Sequence, residues 1–355
     1  MIVAASAPGK IVLLGEYAVL EGGPALAMAV DRRAEVRLQT DTDELFTINA
    51  PGIIDRPAHF RILGDGTLDW SEMSAGFIDR LRPVAQVLRS LARLKVLDRR
   101  TWPVFNATLM TPLFYQPGSQ VKLGLGSSAA LVVALGSALL TFVGLSPDAL
   151  GRSRWLRSLL AAHRRMQGNE GSGIDVAASL YGGVLSYRIP TLRRTPEINA
   201  LQLPESLHYV FLWTGHSAST RDFLRDFKTW RRKHADDARQ LLNDMSEISR
   251  SGIAALHAHN TAELCTAASA YGDALNRLGA SSGLDIYSSK HQQLAKIVHS
   301  AGAVYKPCGA GGGDFGVALS DNPEIIDRVR AATTVAGFVP LQLQVDLHGA
   351  NTNVE

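Results

Sequence analysis

The stretch Leu123-Gly124-Leu125-Gly126-Ser127-Ser128-Ala129-Ala130 leads into a long run of alanine, leucine and valine. Its glycines let the backbone approach an anion, and the next amides point out of a helix N-terminus, where the helix dipole favours negative charge. The two serine hydroxyls can bind phosphate oxygens or Mg²⁺. We therefore predict a phosphate-binding loop that feeds a buried helix; a serine-capped turn is the alternative. The loop is neither a Walker A sequence nor a Rossmann fingerprint.

A second motif surrounds Lys10, in the segment Ala7-Pro8-Gly9-Lys10-Ile11-Val12-Leu13-Leu14-Gly15-Glu16-Tyr17. The Pro-Gly pair predicts a turn or loop between strand-like runs at residues 2–4 and 11–14. A lysine after Pro-Gly is usually a solvated turn residue. Because an unpaired lysine in an apolar run is costly, we instead expect a carboxylate or phosphate partner for Lys10. Glu16 and Tyr17 follow at a second bend.

A third motif, Lys306-Pro307-Cys308-Gly309-Ala310-Gly311-Gly312-Gly313-Asp314, lies between two predicted strands. Glycine occupies every position from 309 to 313 except 310, and glycines lose much backbone entropy when they become ordered. We infer that packing alone does not explain them and that this loop approaches a ligand. A flexible hairpin loop is the alternative.

Composition bounds the class of protein. The 355 residues are 46% hydrophobic and 19% charged, with a formal net charge of +3. A chain of 355 residues is long enough for one large domain or two ordinary ones. Its net charge is too small to indicate nucleic-acid binding. Cys265 and Cys308 form no disulfide framework, which is typical of reduced thiols in a cytoplasmic protein. Lys10 and Glu16 interrupt the apolar start, so we predict no signal peptide, and the run at 129–143 is too short to span a bilayer.

Hydrophobic periodicity places these motifs on an alternation of strands and helices. A stretch at 190–204 with three prolines is the predicted domain boundary. Strands are predicted at 34–40, 45–49, 105–110, 184–188, 209–213, 303–306, 316–319 and 338–345. Helices are predicted at 79–97, 154–167, 174–180, 220–232, 235–256, 261–278, 285–300 and 324–336.

Taken together and in this order, the three motifs resemble those of the GHMP kinase family of small-molecule kinases. The resemblance extends from Pro8 to Asp314. It implies an α+β fold of two domains with the ligands in the cleft between them. Residues 1–200 would form an ATP-binding domain similar to the second domain of ribosomal protein S5, and residues 201–355 a ferredoxin-like domain.

Within the family, residues 162–178 resemble the phosphomevalonate kinase pattern AHxxxQGxxGSGxDVAA. Mevalonate kinases have a GNPSGxDN-type sequence there and a Mg²⁺-binding glutamate where this chain has Arg164. They also usually have histidine where this chain has Tyr17. These differences weaken the mevalonate kinase interpretation and put in doubt any carboxylate ligand for Mg²⁺ on this helix.

Two further segments are similar to phosphomevalonate kinases. Lys122 precedes the glycine loop as in their KxGLGSS form and could neutralise an acceptor phosphate, unless it is an exposed loop lysine. Residues 214–221 resemble a turn that contacts the acceptor. Ser219 and Thr220 there are N-cap residues of a predicted helix, whose N-terminus can hold a phosphate or carboxylate; capping without a ligand is the alternative.

The resemblance implies a role for each site residue. Lys10 would stabilise charge on the transferring phosphoryl group, and Asp175 would face Lys10 and position it with the acceptor. ATP phosphates would bind Gly124, Leu125, Gly126, Ser127, Ser128 and Ala129, with Ser128 also a Mg²⁺ contact. The acceptor would contact Glu16, Tyr17, Lys122, Ser172, Gly173, Ser219, Thr220, Gly311, Gly312, Gly313 and Asp314.

The implied reaction is ATP-dependent phosphorylation of phosphomevalonate to diphosphomevalonate, in the mevalonate route to isoprenoids. The expected protein is cytoplasmic, a monomer or homodimer, without nucleic-acid or membrane partners. A mevalonate kinase, another family member or a non-catalytic ligand-binding homologue are the alternatives, although the presence of Lys10, Ser128 and Asp175 argues against lost catalysis. The sequence leaves open whether Lys95, Arg99 or Arg100 reaches the acceptor.

Overall fold

The computed structural model describes residues 1–63, 67–70, 73–94, 102–168, 171–190 and 195–355. Lys95, Arg99 and Arg100 lie outside these ranges, as do the end of the helix predicted at 79–97 and residues 169–170 of the loop before Asp175. Within the described part, no helix is both long and apolar enough to cross a membrane.

The strands and helices have the following bounds. The strands are β1 (Ile2–Leu14), β2 (Ala25–Thr40), β3 (Phe46–Asn49), β4 (Ala58–Ile62), β5 (Leu68–Asp69), β6 (Phe105–Met110), β7 (Val184–Arg188), β8 (Glu197–Leu201), β9 (His208–Trp213), β10 (Val304–Pro307), β11 (Phe315–Ser320), β12 (Val339–Leu341) and β13 (Asn351–Val354). The helices are α1 (Ala75–Arg80), α2 (Arg82–Arg93), α3 (Ser127–Phe142), α4 (Pro147–Leu150), α5 (Arg152–Met166), α6 (Ile174–Tyr181), α7 (Thr220–Lys233), α8 (Ala235–His257), α9 (Thr261–Ser282), α10 (Ser289–Ser300) and α11 (Pro323–Val335).

The first sheet carries the most buried helix of the site. Its strand order is β13-β1-β2-β6-β3-β4-β5, and the β7–β8 pair branches from β2. Helix α3 packs on β1 and β2 and is covered by α2, α5 and α6. Its residues are buried almost all round, as expected for a helix that is apolar on every face. Burial on all sides fixes the N-terminus of α3, which follows the glycine loop.

The prediction of a turn at Pro8-Gly9 was wrong, because both residues lie within strand β1. The chain runs as one strand from Ile2 to Leu14, and its register against β2 shifts between Pro8 and Gly9. Pro8 pairs with Arg33 and Gly9 with Val30, so the bulge lies on β2, where Asp31 and Arg32 have no register partner on β1. The ladder is thus interrupted where β1 carries its proline, which is a position that tolerates one. Beyond the bulge, the Lys10 amide donates to the carbonyl oxygen of Leu125 at 2.8 Å, so β1 is joined to the glycine loop.

The second sheet has the order β10-β11-β9-β12, and all its neighbouring strands are antiparallel. With helices α7–α10 after β9 and α11 after β11, this is the β-α-β-β-α-β arrangement of a ferredoxin-like domain, as the resemblance implied. Helix α9 packs on β10 and β11, and α11 packs on β9, β11 and β12.

Several element predictions differ from the structure. The strand predicted at 338–345 is only Val339–Leu341, and the chain's last strand is β13, which returns to β1 in the first sheet. Strand β8 lies inside the proline-containing stretch predicted as a boundary. The helix predicted at 285–300 begins at Ser289. Strand β13 is exposed and polar, so it lacks the apolar pattern from which a strand is predicted, whereas β8 (EINAL) is short and mostly exposed.

A half-buried arginine holds the returning segment before β13. Arg33 forms an ion pair with Asp346 and donates to the carbonyl oxygens of Ser6 and Gly349, at 3.1 and 2.6 Å. Asp346 in turn accepts from the amides of His348 and Gly349, each at 3.1 Å. These hydrogen bonds therefore fix the chain around residue 346 to β1 and β2, in addition to the apolar packing of Leu343 and Val345.

Arg33→Met should lower the free energy of unfolding by about 2 kcal/mol, less than for a fully buried pair because Arg33 is partly exposed. Urea unfolding followed by circular dichroism measures the change. The matched control is Arg37→Met, which removes an exposed pair with Glu355 and should change stability by less than about 0.5 kcal/mol. Equal losses in the two variants would contradict this account.

Candidate active site

A cavity of about 310 Å³ lies between the two sheets and collects most of the predicted site residues. Predicted residues that line it are Lys10, Glu16, Tyr17, Lys122, Gly124, Leu125, Gly126, Ser127, Ser128, Ala129, Ser172, Gly173, Asp175, Thr220 and Asp314. The predicted residues Ser219, Gly311, Gly312 and Gly313 are not part of its lining. A larger cavity of about 690 Å³ shares six lining residues with it: Lys122, Ser127, Ser128, Gln167, Thr220 and Leu224.

Ser219 is a capping residue. Its exposed hydroxyl accepts a hydrogen bond from the Asp222 amide at 3.4 Å, at the start of α7. The capping role predicted for Ser219 is thus present, and its contact with the acceptor stays a prediction. The next residue, Thr220, lines both cavities, so the helix N-terminus itself does reach the site.

The inference that packing does not explain the glycines of the third motif was wrong for Gly311, Gly312 and Gly313, whereas Gly309 has φ of +80° and no atom within 4 Å of an added Cβ. A Cβ atom on Gly311 would lie 2.6 Å from Ile286, and one on Gly313 would lie 2.9 Å from the carbonyl oxygen of His216. A Cβ on Gly312 would overlap the ring of Phe223. These glycines are therefore required by close contact with neighbouring protein, which a sequence pattern does not reveal.

The carbonyl groups of this loop are held by side chains around it. Tyr17 Oη donates to the Ala310 oxygen at 2.6 Å, and the Nε2 atoms of His216 and His291 lie 2.8 and 2.9 Å from the oxygens of Gly312 and Gly313. Burial lowers the pKa of His291 to about 4, so its ring is neutral at physiological pH. The loop is fixed in one orientation, with Gly309 and Ala310 on the cavity surface.

The glycine loop before α3 has the geometry expected of an anion site. Gly124 and Gly126 have φ of +80° and +79°, and Gly126 is the N-cap of α3. The first amides of the helix therefore have no intrahelical acceptor and face the cavity end of the helix. A Cβ on Gly126 would lie 3.3 Å from Lys10 Cε, whereas one on Gly124 would overlap the Asp314 carboxyl group.

Lys10 and Asp175 line the same cavity but do not form an ion pair in the structure. Within the described residues, no carboxylate lies within ion-pair distance of Lys10. Asp175 Oδ1 accepts from the Val176 amide at 2.9 Å. Burial raises the pKa of the Asp314 carboxyl group, and the Ala218 amide and Lys10 oppose the rise.

His163 is a site residue that the sequence analysis did not single out. It is buried, and its Nε2 atom lies 3.4 Å from Ser128 Oγ, 3.5 Å from Gln167 Nε2 and 3.6 Å from Asp175 Oδ2. His163 therefore connects the predicted Mg²⁺ contact with the predicted catalytic carboxylate. The sequence did contain an indication of this role. His163 on α5 and Gln167, the C-cap of that helix, are four residues apart and so lie on one helix face.

The sequence analysis also missed the contact between Glu16 and Lys306. Glu16 Oε1 accepts from Lys306 Nζ at 2.6 Å, and both side chains are buried. The Tyr271 hydroxyl donates to the Glu16 carbonyl oxygen at 2.7 Å. With the Tyr17–Ala310 hydrogen bond, these contacts join the end of β1 to the ferredoxin-like domain behind the cavity.

The larger cavity has a basic rim and an apolar wall. Arg80, Arg82, Lys122 and Arg221 line it, against the single carboxylate of Asp79. Its apolar lining consists of Ile53, Pro83, Tyr115, Leu131, Met166 and Leu224. Such a surface can take a flat apolar group together with an attached polyanion.

The residues around Ser128 fit a magnesium ion that arrives with a nucleotide. The described residues contain no group of three or more histidine, cysteine or carboxylate side chains that could hold a metal. Mg²⁺ usually keeps several waters and binds one or two carboxylates together with substrate phosphates. Ser128 and Asp175, both within reach of His163 Nε2, could supply a hydroxyl and a carboxylate of that kind.

Phosphoryl transfer depends on positioning and charge neutralisation more than on covalent chemistry by the protein. A glycine loop at a helix N-terminus, with lysines and carboxylates on one cavity wall, provides both. The fold and the site define a kinase of small molecules. Residues 113–183 match the model of the GHMP kinases N terminal domain.

Whole-chain comparisons identify the family. The chain is 30% identical over 374 residues to phosphomevalonate kinase of Streptomyces sp. (strain CL190), with 97% of each covered. It is 28% identical over 400 residues to mevalonate kinase of Homo sapiens, covering 98% of this chain and 93% of that one. Streptococcus pneumoniae phosphomevalonate kinase, solved with phosphomevalonate and AMPPNP, matches with a TM-score of 0.79 at 20% identity, over 96% of this chain and 99% of that one. The chain belongs to the GHMP kinase family, has its mixed α and β fold, and is an ATP-dependent small-molecule kinase.

Gly124→Ala should lower kcat/KM for ATP at least about a hundredfold, because a Cβ would displace Asp314 and the positive φ strains any other residue. Gly144→Ala is the matched control, with φ of +77° and no atom within 4 Å of the added carbon. It should lose about 1 kcal/mol of stability and keep its kinetic constants. Steady-state kinetics with thermal unfolding measures both; equal activity in the two variants would refute the steric explanation.

Proposed function

We propose that this kinase transfers the γ-phosphoryl group of ATP to the phosphate of phosphomevalonate, forming diphosphomevalonate and ADP. The observation that carries the proposal is the pair Lys10 and Lys122, both on the wall of the smaller cavity beside the glycine loop. Lys10 is sufficient to stabilise a transferring phosphoryl group. The additional charge of Lys122 suits an acceptor that brings a phosphate of its own.

The two cavities divide the substrates between them in this proposal. The nucleoside lies in the larger cavity, against the apolar wall that includes Tyr115, and its phosphates extend to the shared residues Ser127 and Ser128. The acceptor lies in the smaller cavity. Ala310 lines that cavity, and its amide has no acceptor among the described residues, so it can donate to an acceptor oxygen.

In the transfer, a phosphate oxygen of the acceptor attacks the γ-phosphorus, and the bond from the γ-phosphorus to the bridging oxygen breaks, releasing ADP. Lys10 and the first amides of α3 stabilise the negative charge that spreads over the transferring group. A Mg²⁺ ion bound with the nucleotide would neutralise charge on the β- and γ-phosphates. Little proton transfer is needed, because a phosphate monoester is already mostly ionised at neutral pH.

Asp175 acts in this scheme by positioning. Its Oδ2 atom faces His163, which is 1% exposed and cannot move without disturbing the core. The carboxylate is thus held at the N-terminal turn of α6, opposite the loop that carries Ser128. From there it orients the acceptor, and it attracts Lys10 toward the transferring group.

Phosphorylation of the mevalonate hydroxyl is the second candidate. The observation that favours it is the Asp175–His163 pair at 3.6 Å, because a carboxylate beside a histidine can accept the proton that a hydroxyl loses on attack. The relatives include kinases named for either substrate.

A coupled assay of ADP release with phosphomevalonate and mevalonate side by side tests the proposal. We expect kcat/KM to be at least about a hundredfold higher for phosphomevalonate, since only this acceptor can pair with Lys122. Lys122→Met should reduce that preference at least about tenfold. A preference for mevalonate would replace the proposal with the second candidate. Activity with neither would reject both.

Asp175→Asn should lower kcat about a hundredfold, while ATP binding measured by calorimetry weakens less than about threefold, because the loop at 124–129 remains intact. The pH profile distinguishes the two candidate reactions. Loss of a positioning group lowers kcat equally at all pH values, whereas loss of a general base removes a pH-dependent limb. Full turnover by Asp175→Asn would exclude any role for this carboxylate.

A further inference from the structure

A buried ion pair, Lys306–Glu16, lies directly behind the acceptor cavity. Lys306 has a side-chain exposure of 0% and Glu16 of 3%, and their charged atoms are 2.6 Å apart. Glu16 lines the cavity, whereas Lys306 lies behind it. Burying two charges carries a large desolvation penalty, and well-packed apolar residues at such positions are often as stable. Stability alone therefore does not account for the pair.

Glu16 faces a cavity that must hold anions. Among the described residues, Lys306 is the cation within ion-pair distance of it, and Glu16 Oε2 has no hydrogen-bond partner. Without Lys306, this carboxylate would place an uncompensated negative charge on the wall of the acceptor cavity. In a region of low dielectric, that charge would repel a bound anion strongly.

The same carboxylate fixes the part of the third motif that reaches the cavity. The Gly309 amide donates to Glu16 Oε1 at 3.3 Å, and the neighbouring Tyr17 hydroxyl holds the Ala310 carbonyl at 2.6 Å. Both ends of the Gly309–Ala310 pair are thus held by consecutive residues of the first motif. The remaining Ala310 amide is the donor left for a ligand.

We propose that Lys306 is a positioning residue for the acceptor: it neutralises Glu16 and holds its carboxylate against the Gly309 amide, so that this wall of the cavity accepts an anionic substrate. The inference rests on the proposed function only in requiring an anionic acceptor in the smaller cavity. Lys306 itself contacts neither substrate. Its effect is on acceptor binding and turnover, and the nucleotide site is unaffected.

Lys306→Met tests the proposal by leaving Glu16 uncompensated, and Lys306→Met with Glu16→Gln restores neutrality at similar volume. The single variant should lose at least about tenfold in kcat/KM for the acceptor, with KM for ATP within about twofold of wild type. The neutral double variant should recover to within about fivefold of wild type.

A pH series separates charge from structure. An unpaired buried carboxylate has a raised pKa, so in Lys306→Met the deficit should shrink as pH falls and Glu16 becomes protonated. The double variant should show no such trend. The other titratable groups that face Glu16 remain uncharged across the series, since burial raises the pKa of Cys308 to about 11 and raises those of Tyr17, Tyr271 and Tyr287 above the usual tyrosine range.

Arg33→Met is the control for the loss of an ion pair elsewhere, and should lower stability without changing either KM. The proposal is overturned if the single and double variants have equal acceptor constants at all pH values, or if KM for ATP rises in parallel. If Lys306→Met does not fold, the double variant decides. A folded double variant that loses more than tenfold in kcat/KM for the acceptor overturns the proposal. One whose kcat/KM stays within fivefold of wild type supports the proposal. All variants are measured with whichever acceptor the wild type phosphorylates, so a failure with phosphomevalonate alone rejects the proposed function and leaves this test intact.

Discussion

The site depends on one hydrogen bond between two distant segments, from the Lys10 amide to the Leu125 carbonyl. This hydrogen bond joins β1, just past the register shift at Pro8-Gly9, to the loop that precedes α3. Because α3 is buried on all sides, the loop has little freedom to move, and Lys10 is held beside the helix N-terminus. The close approach of Gly9, where a Cβ would lie 2.6 Å from the Leu125 oxygen, leaves no room for a larger residue. The cation and the helix amides thus act on the same anion.

The ferredoxin-like domain completes this arrangement by direct contact. Asp314 packs against Gly124, the Tyr17 hydroxyl reaches Ala310, and Arg221 donates to the Met166 carbonyl oxygen at 3.3 Å. Each contact joins the part of the chain that builds the first sheet to the part that builds the second. The cavity between the sheets is therefore walled by fixed side chains and backbone on both sides, which is the pre-organisation that phosphoryl transfer requires.

The sequence predicted those parts of the fold and site that local chemistry determines. The glycine loop, helix α3 and the shared cavity of Lys10 with Asp175 follow from composition, helix dipoles and a family resemblance. What failed depends on tertiary neighbours. Pro8-Gly9 stays within a strand only because β2 bulges opposite it, so the local sequence alone indicates a turn. The contacts of Gly311–Gly313 and the roles of His163 and Lys306 are set by partners far away in the chain. The assigned roles of the site residues stay predictions.

The pairing of β1 with β13 has a consequence for how the chain matures. Residues 3–6 pair with residues 351–354, so most of the sequence lies between the two strands. During synthesis, which proceeds from the N-terminus, this edge of β1 stays open until residues 351–354 have emerged from the ribosome. An unpaired strand edge is a template for association with other chains. Residues 351–354 therefore cover an edge that would otherwise be open to such association, although they lie outside the lining of either cavity.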